Sequence, residues 1–127
     1  MERKPDVAYS EADIAARLVG PLRHWTLENG WIRRKYRTEG WKGTLMVVNT
    51  VAHLAEAAWH HPDLAVSYAF VIVKLQNHHA KGITDKDFEL ARKIEEVIQW
   101  QPGLDPAGAL EGTPTDDQRF RYIKYDV

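Results

Sequence analysis

Cysteine is absent from the 127 residues. That one absence excludes a disulfide framework, a zinc–thiolate centre and a thiol nucleophile. Long apolar runs are missing too: Ala69–Val73 is the longest strongly apolar stretch, far short of the ~20 residues a membrane-spanning helix needs. The N-terminal Met1–Asp6 is charged and lacks the apolar segment of a secretory signal, so a cytoplasmic protein without membrane contact is expected. Neither sign of charge is in surplus. Lys and Arg number 17 against 18 Asp and Glu, for a net charge of −1. No global field steers such a chain toward nucleic acid or anionic lipid, and a small neutral or zwitterionic ligand is the easier partner. No internal repeat or linker divides the sequence. A single domain over residues 1–127 is expected, with a core at about 10–100 and a C-terminal extension at about 101–127.

What is present suits an ordered core: 44% of residues are hydrophobic, and five Trp, five Tyr and three Phe supply bulk. Ser10 followed by Asp13 reads as a capping box opening a short helix through Leu18, stopped by Gly20-Pro21. Alternation in His24–Glu28 and Trp31–Arg37 around Asn29-Gly30 predicts a β-hairpin. Trp41, Leu45, Val48, Ala52, Ala55 and Trp59 recur at steps of four and three, which predicts a helix laid on the core by that row and stopped near His60-His61-Pro62. Ala65–Gln76 reads as one long buried strand. Thr84 and Asp87 repeat the capping logic before Phe88, Ala91, Ile94 and Ile98, with Glu89–Lys93 and Arg92–Glu96 as charge pairs on the outer side. Phe120–Tyr125 forms a possible late strand. The order predicts an α+β two-layer sandwich, an antiparallel sheet of about four strands with helices packed on one face.

Five of the six histidines cluster: His53, His60, His61, His78 and His79. Asn49, His53, Glu56 and His60 follow at steps of four, three and four, a polar line beside the apolar row. A solvated helix face is the plain reading of such a line. The functional reading rests on its end. His60 falls in the last helical turn, where the exposed carbonyls suit a proton-donating imidazole, although a simple C-cap is the competing role. His61 is set by Pro62, and His78 ends the long strand in even register with Tyr68, Phe70, Ile72, Lys74 and Gln76. His79 points to the other face, and His53 and His24 carry no separate functional signal.

Glu56-x3-His60-His61-Pro62-x5-Tyr68-x9-His78-x8-Asp87 resembles the signature of the pterin-4a-carbinolamine dehydratase family. The resemblance covers roughly Ser10–Trp100 and is weaker before Trp41. It implies that His60, His61 and His78 line a pterin pocket, His60 and His78 as acids or bases on the departing hydroxyl and His61 as pterin holder and assisting base. By the same resemblance Glu56 contacts the heterocycle and Asp87 orients a pocket histidine, although Asp87 is also the capping partner of Thr84. No cofactor or metal is implied, since the pterin is the substrate. Homodimers or homotetramers are implied as well, without direct nucleic-acid binding. Trp59 departs from the family's usual small or polar residue before the histidine pair.

Two other readings stay open here. His53, Glu56, His60 and His78 offer an N and O set to a metal, but seven residues separate His53 from His60, about 10 Å along a helix. Alternatively the fold is a non-catalytic dimerisation or coactivator-type module, as in animal members that partner a homeodomain transcription factor. The basic strand Arg33-Arg34-Lys35-Tyr36-Arg37 attracts phosphates in that reading, against the plainer one of an exposed or edge strand whose charges resist aggregation.

Overall fold

The computed structural model describes residues 6–125; Met1–Pro5 of the charged N-terminal stretch and the last two residues lie outside the described residues. The chain forms helix α1 (Glu11–Arg17), strands β1 (Thr26–Glu28) and β2 (Trp31–Arg37), helix α2 (Trp41–Ala58), strands β3 (Asp63–Ser67) and β4 (Phe70–Leu75), and helix α3 (Asp85–Ile98). The four strands make one antiparallel sheet in the order β1-β2-β4-β3. Ile32, Tyr36, Val71, Val73 and Leu75 of the sheet and Val47, Val51, Phe88, Ala91, Ile94 and Ile98 of the helices form a single core. The architecture is the two-layer α+β sandwich that the element order predicts.

Local chemistry explains several boundaries. Ser10 Oγ accepts the Asp13 N–H at the start of α1. Asn29 and Gly30 both take positive φ, 52° and 81°, as a two-residue turn of this type requires. At α3 both halves of the Thr84–Asp87 capping box form, and Phe88, Ala91, Ile94 and Ile98 all face the core.

Three expectations fail, each for a tertiary reason. The long strand Ala65–Gln76 is a hairpin: β3 and β4 pair from Ser67↔Phe70 to Asp63↔Lys74 around a Tyr68-Ala69 turn. That turn uses no positive φ and hence no Gly or Asn. Its carbonyls instead accept from distant groups, Tyr68 from Thr44 Oγ1 (2.8 Å) and Ala69 from the Thr38 N–H (2.9 Å). On α2 the core row is Gly43, Thr44, Val47, Val51 and Ala55. Trp41, Leu45 and Trp59 of the expected row stand 50%, 39% and 75% exposed, and of that row only Ala55 is fully buried. The two rows share Ala55, and before it they lie one residue apart, about 100° around the helix. The small and β-branched row wins because it lets the helix sit close to the sheet. Finally, β2 is an interior strand, not an edge.

Because β2 is interior, its alternate side chains divide between the faces. Arg33, Lys35 and Arg37 lie on the helix-free face, and Arg33 pairs with Glu28 (3.1 Å). Arg34 points inward with Ile32 and Tyr36 and is 2% exposed. Its Nε donates to Glu95 Oε1 at 2.7 Å, an oxygen that also accepts from Tyr36 Oη (2.7 Å) and Trp25 Nε1 (2.9 Å). Burial, then the charge of Glu95, pushes the Tyr36 phenol well above its ordinary range. On α3, Lys93 pairs with Glu96 (3.0 Å), three residues on, rather than back to Glu89.

The C-terminal segment runs back over the end of β2. Thr38 bridges Ile123, the Glu39 N–H donates to the Tyr122 carbonyl and the Lys124 N–H to that of Arg37. Phe120–Tyr125 is therefore a single bridge rather than a strand. A Cβ on Gly43 would collide with the Tyr122 carbonyl, so the segment packs where α2 has no side chain.

Candidate active site

The site is built at the C-terminal end of α2. The Trp59 N–H donates to Glu56 O and the His60 N–H to Ala55 O, with Trp59 in the left-handed region (φ 53°, ψ 44°). These are the paired bonds of a Schellman motif. The reversal takes His60 off the helix axis: His60 lies two residues past α2, not in its last turn, and leaves the polar line of Asn49, His53 and Glu56. Its backbone caps the helix while its ring is free to turn elsewhere.

That ring meets α3. His60 Nε2 lies 2.6 Å from Asp87 Oδ1, with the histidine side chain 13% exposed and the carboxylate fully buried. Asp87 holds two positions at once, because its Oδ2 accepts the Thr84 N–H at 2.8 Å in the capping box. A carboxylate clamped by the helix start is a rigid partner for an imidazole. When Nε2–H is held by Asp87, Nδ1 is the nitrogen left for other work.

The next residue points outward. His61 Nε2 lies 2.7 Å from Glu56 Oε1, and this pair is 53% and 69% exposed. Glu56 thus meets His61 directly, a contact that five-residue separation across a helix end does not advertise. The Trp59 ring stands edge-to-face with His61, 5.1 Å between centroids.

His78 is not delivered by a strand. β4 ends at Leu75, and His78 sits in the turn closed by the Asn77↔Gly82 bridge. Asn77 organises this turn: its Oδ1 accepts from the His79 and Ala80 N–H groups, and its Nδ2 lies 3.4 Å from Thr84 Oγ1. Asn77 therefore ties the His78 turn to Thr84, Thr84 to Asp87, and Asp87 to His60. The register agrees: β3 pairs with β4 up to Asp63↔Lys74, so the segment just before Asp63 runs beside the residues leading to His78. His78 is exposed and its ring packs edge-to-face on Trp31 at 5.7 Å.

The structure thus pairs His60 with Asp87 and His61 with Glu56, and the Asn77–Thr84–Asp87 bonds connect the turn that carries His78 to the His60 pair. His53 and His79 are exposed, and Tyr68 lies at the far end of β3, on the order of 17 Å along the strand. No group of three or more His, Asp or Glu stands in metal-holding geometry among the described residues. Asp6 completes the surround: its carboxylate accepts from Lys86 and Asn77 (both 2.9 Å), which together hold it below the usual carboxylate range. Asn77, Thr84, Trp31 and Asp6 were not singled out from the sequence as site neighbours. Only the Thr84 cap carried a local signal.

Cavities of ≈600 and ≈850 Å³ lie elsewhere, one beside Arg23, His24 and Arg92 and one within residues 100–125. Neither touches the histidine set.

Imidazoles paired with carboxylates are groups that can donate and accept protons, here carried on a two-layer α+β sandwich. Comparison with known proteins supplies the lineage. The Pterin 4 alpha carbinolamine dehydratase family model matches residues 7–97, and the chain belongs to that family. It is 44% identical over 90 residues to a candidate pterin-4-alpha-carbinolamine dehydratase of Aquifex aeolicus, covering 71% of this chain and 90% of the relative. A protein of Chloroflexus aurantiacus with the same candidate name is 44% identical over 89 residues, covering 70% and 95%. Among solved structures, a transcriptional coactivator/pterin dehydratase from Brucella melitensis superposes with a TM-score of 0.63 at 25% identity, covering 72% of this chain and 97% of that one. No described helix is long and apolar enough to cross a membrane.

Proposed function

We propose that the protein is a hydro-lyase that dehydrates a 4a-hydroxytetrahydropterin to the quinonoid dihydropterin, recycling a pterin used by aromatic amino acid hydroxylation. The observation that carries this reading is the pair of consecutive imidazole–carboxylate contacts, His60 on buried Asp87 and His61 on Glu56, in a chain of the dehydratase family. An acid donates a proton to the 4a-hydroxyl, the C4a–O bond breaks and water leaves. The N5 lone pair forms the new C=N bond, and a base takes one ring N–H proton. One proton enters and one departs, so the step requires no metal or redox cofactor. His60 and His78 serve as acid and base, His61 holds the ring and assists, and Asp87 positions His60. Each proton-transfer group is worth about 10²–10⁴ in rate.

The exposed row Trp41, Leu45 and Met46 on α2 supports a homodimer or homotetramer covering that face; the proposed role in pterin recycling sets the protein in the cytoplasm, without direct nucleic-acid binding. The test is a dehydration assay on 4a-hydroxytetrahydropterin generated in situ by a hydroxylase, in chelator-treated buffer. Catalysis above the spontaneous rate is expected, and its loss in His60→Ala, His61→Ala and His78→Ala. Wild-type protein that leaves the spontaneous rate unchanged refutes the reading.

A further inference from the structure

Trp59 occupies a backbone position where a side chain is a disadvantage. The C′ residue of a Schellman motif takes left-handed φ and ψ, which glycine adopts freely and a bulky L residue does not. Among the described residues two other non-glycine residues take positive φ: Asn29 is a type favoured there, and Lys81 belongs to a turn. Trp59 carries the largest side chain of the three and gains no burial in return, since it is 75% exposed. Such strain on an exposed residue points to a use outside the fold. What the indole has beside it is His61, edge-to-face at 5.1 Å and 81°. Trp31 stands in the same relation to His78, at 5.7 Å and 81°. Both exposed histidines of the set are thus flanked by an indole.

We propose that Trp59 is a substrate-stacking residue, whose exposed indole face takes the planar pyrimidinone half of a reduced pterin and holds it over His61. The substrate class rests on the dehydratase reading; the assignment of Trp59 rests on its strain, exposure and contact. Offset stacking on the indole face is the favourable geometry, and stacking of a nucleobase-like ring on an aromatic side chain is worth roughly five- to a hundredfold in affinity.

The proposal makes an unusual pair of demands on Trp59→Gly. Glycine relieves the left-handed strain, so the variant should melt at a higher temperature than wild type while binding a dihydropterin about tenfold more weakly. The loss should fall on KM rather than kcat, and Trp59→Phe, which keeps a ring, should lose less than Trp59→Gly. Calorimetric titration with a dihydropterin, the dehydration assay, thermal melting and sedimentation read these out together. Wild-type affinity in Trp59→Gly overturns the proposal. So does a weakened affinity accompanied by a change in mass, which makes Trp59 a subunit contact. Wild-type protein that binds no dihydropterin removes the dehydratase reading along with this one, whereas wild-type binding unaltered by both variants removes only the stacking role.

Discussion

Helix α3 carries two buried carboxylates, Asp87 at its start and Glu95 about 12 Å further along its axis. Both face inward, and both accept hydrogen bonds from more than one element. Glu95 meets Arg34, a cation that does not titrate in a protein, together with the Tyr36 and Trp25 donors. Asp87 meets a backbone N–H and His60, whose ring keeps a second nitrogen. The lesson is that burial of an acid does not mark function. The partner differs: Glu95 meets a permanent cation, which makes a strut, whereas Asp87 meets a partly buried imidazole, which the proposed function uses.

The comparison breaks most readily at the strut. Glu95→Leu leaves the Arg34 charge buried without its carboxylate and should cost about 3–5 kcal/mol of stability, measured by denaturant unfolding. Activity per folded molecule should be retained. A loss below about 1 kcal/mol would mean that the two carboxylates differ less than their partners imply.

At the site end, His60→Ala should lower kcat by about 10²–10⁴ with little change in melting temperature. A large drop in melting temperature with normal kcat would make the Asp87–His60 contact a second strut. A finer cut is Asp87→Asn. The amide oxygen still accepts the Thr84 N–H, so stability should change by less than about 1 kcal/mol. The amide cannot replace the carboxylate that His60 faces, so kcat should fall by about 10²-fold and the pH–rate profile should shift. An unshifted profile would reduce Asp87 to a helix cap.

The smallest effect is alkaline. Burial, followed by the hydrogen bond with Tyr122, raises the Tyr125 phenol to about 12, and Tyr36 is raised well above its usual value beside Glu95. A raised folded-state pKa means stability that is complete below the unfolded value of about 10 and lost as pH climbs through the folded value. Tyrosinate absorbance should therefore show Tyr125 ionising near pH 12, a step absent in Tyr125→Phe, with Tyr36 ionising only as the strut gives way. Ionisation of Tyr36 near its ordinary value in folded protein would mean that the Glu95 pocket is open to water.

Legibility followed the range of the interaction. Helix α3 was readable because its cap and its core row sit within one segment: Thr84 and Asp87, then Phe88, Ala91, Ile94 and Ile98. The Asn29-Gly30 hairpin was readable for the same reason. Glu95 left a signal that is clear only in retrospect, standing four residues after Ala91 on the buried face, as Arg34 alternates with Ile32 and Tyr36. Tyr68-Ala69 left none, because that turn is held by Thr38 and Thr44 from elsewhere. The signature residues Glu56, His60, His61, His78 and Asp87 were named from their spacing. That spacing was silent on which acid meets which imidazole, and it put His60 on the helix and His78 on a strand where the fold has neither.

By itself, then, the sequence determined the short-range decisions: caps, the positive-φ turn, strand alternation, the helical periods and the family spacing. Each of these depends on backbone conformations and contacts a few residues apart. Only the tertiary structure decided which of two adjacent rows on α2 faces the sheet, that Arg34 and Glu95 meet inside, and that the chain reversal at Trp59 turns His60 onto Asp87. A periodic row states that a face can be buried, but the shape of the opposing layer and the supply of distant hydrogen-bond partners select the face that is.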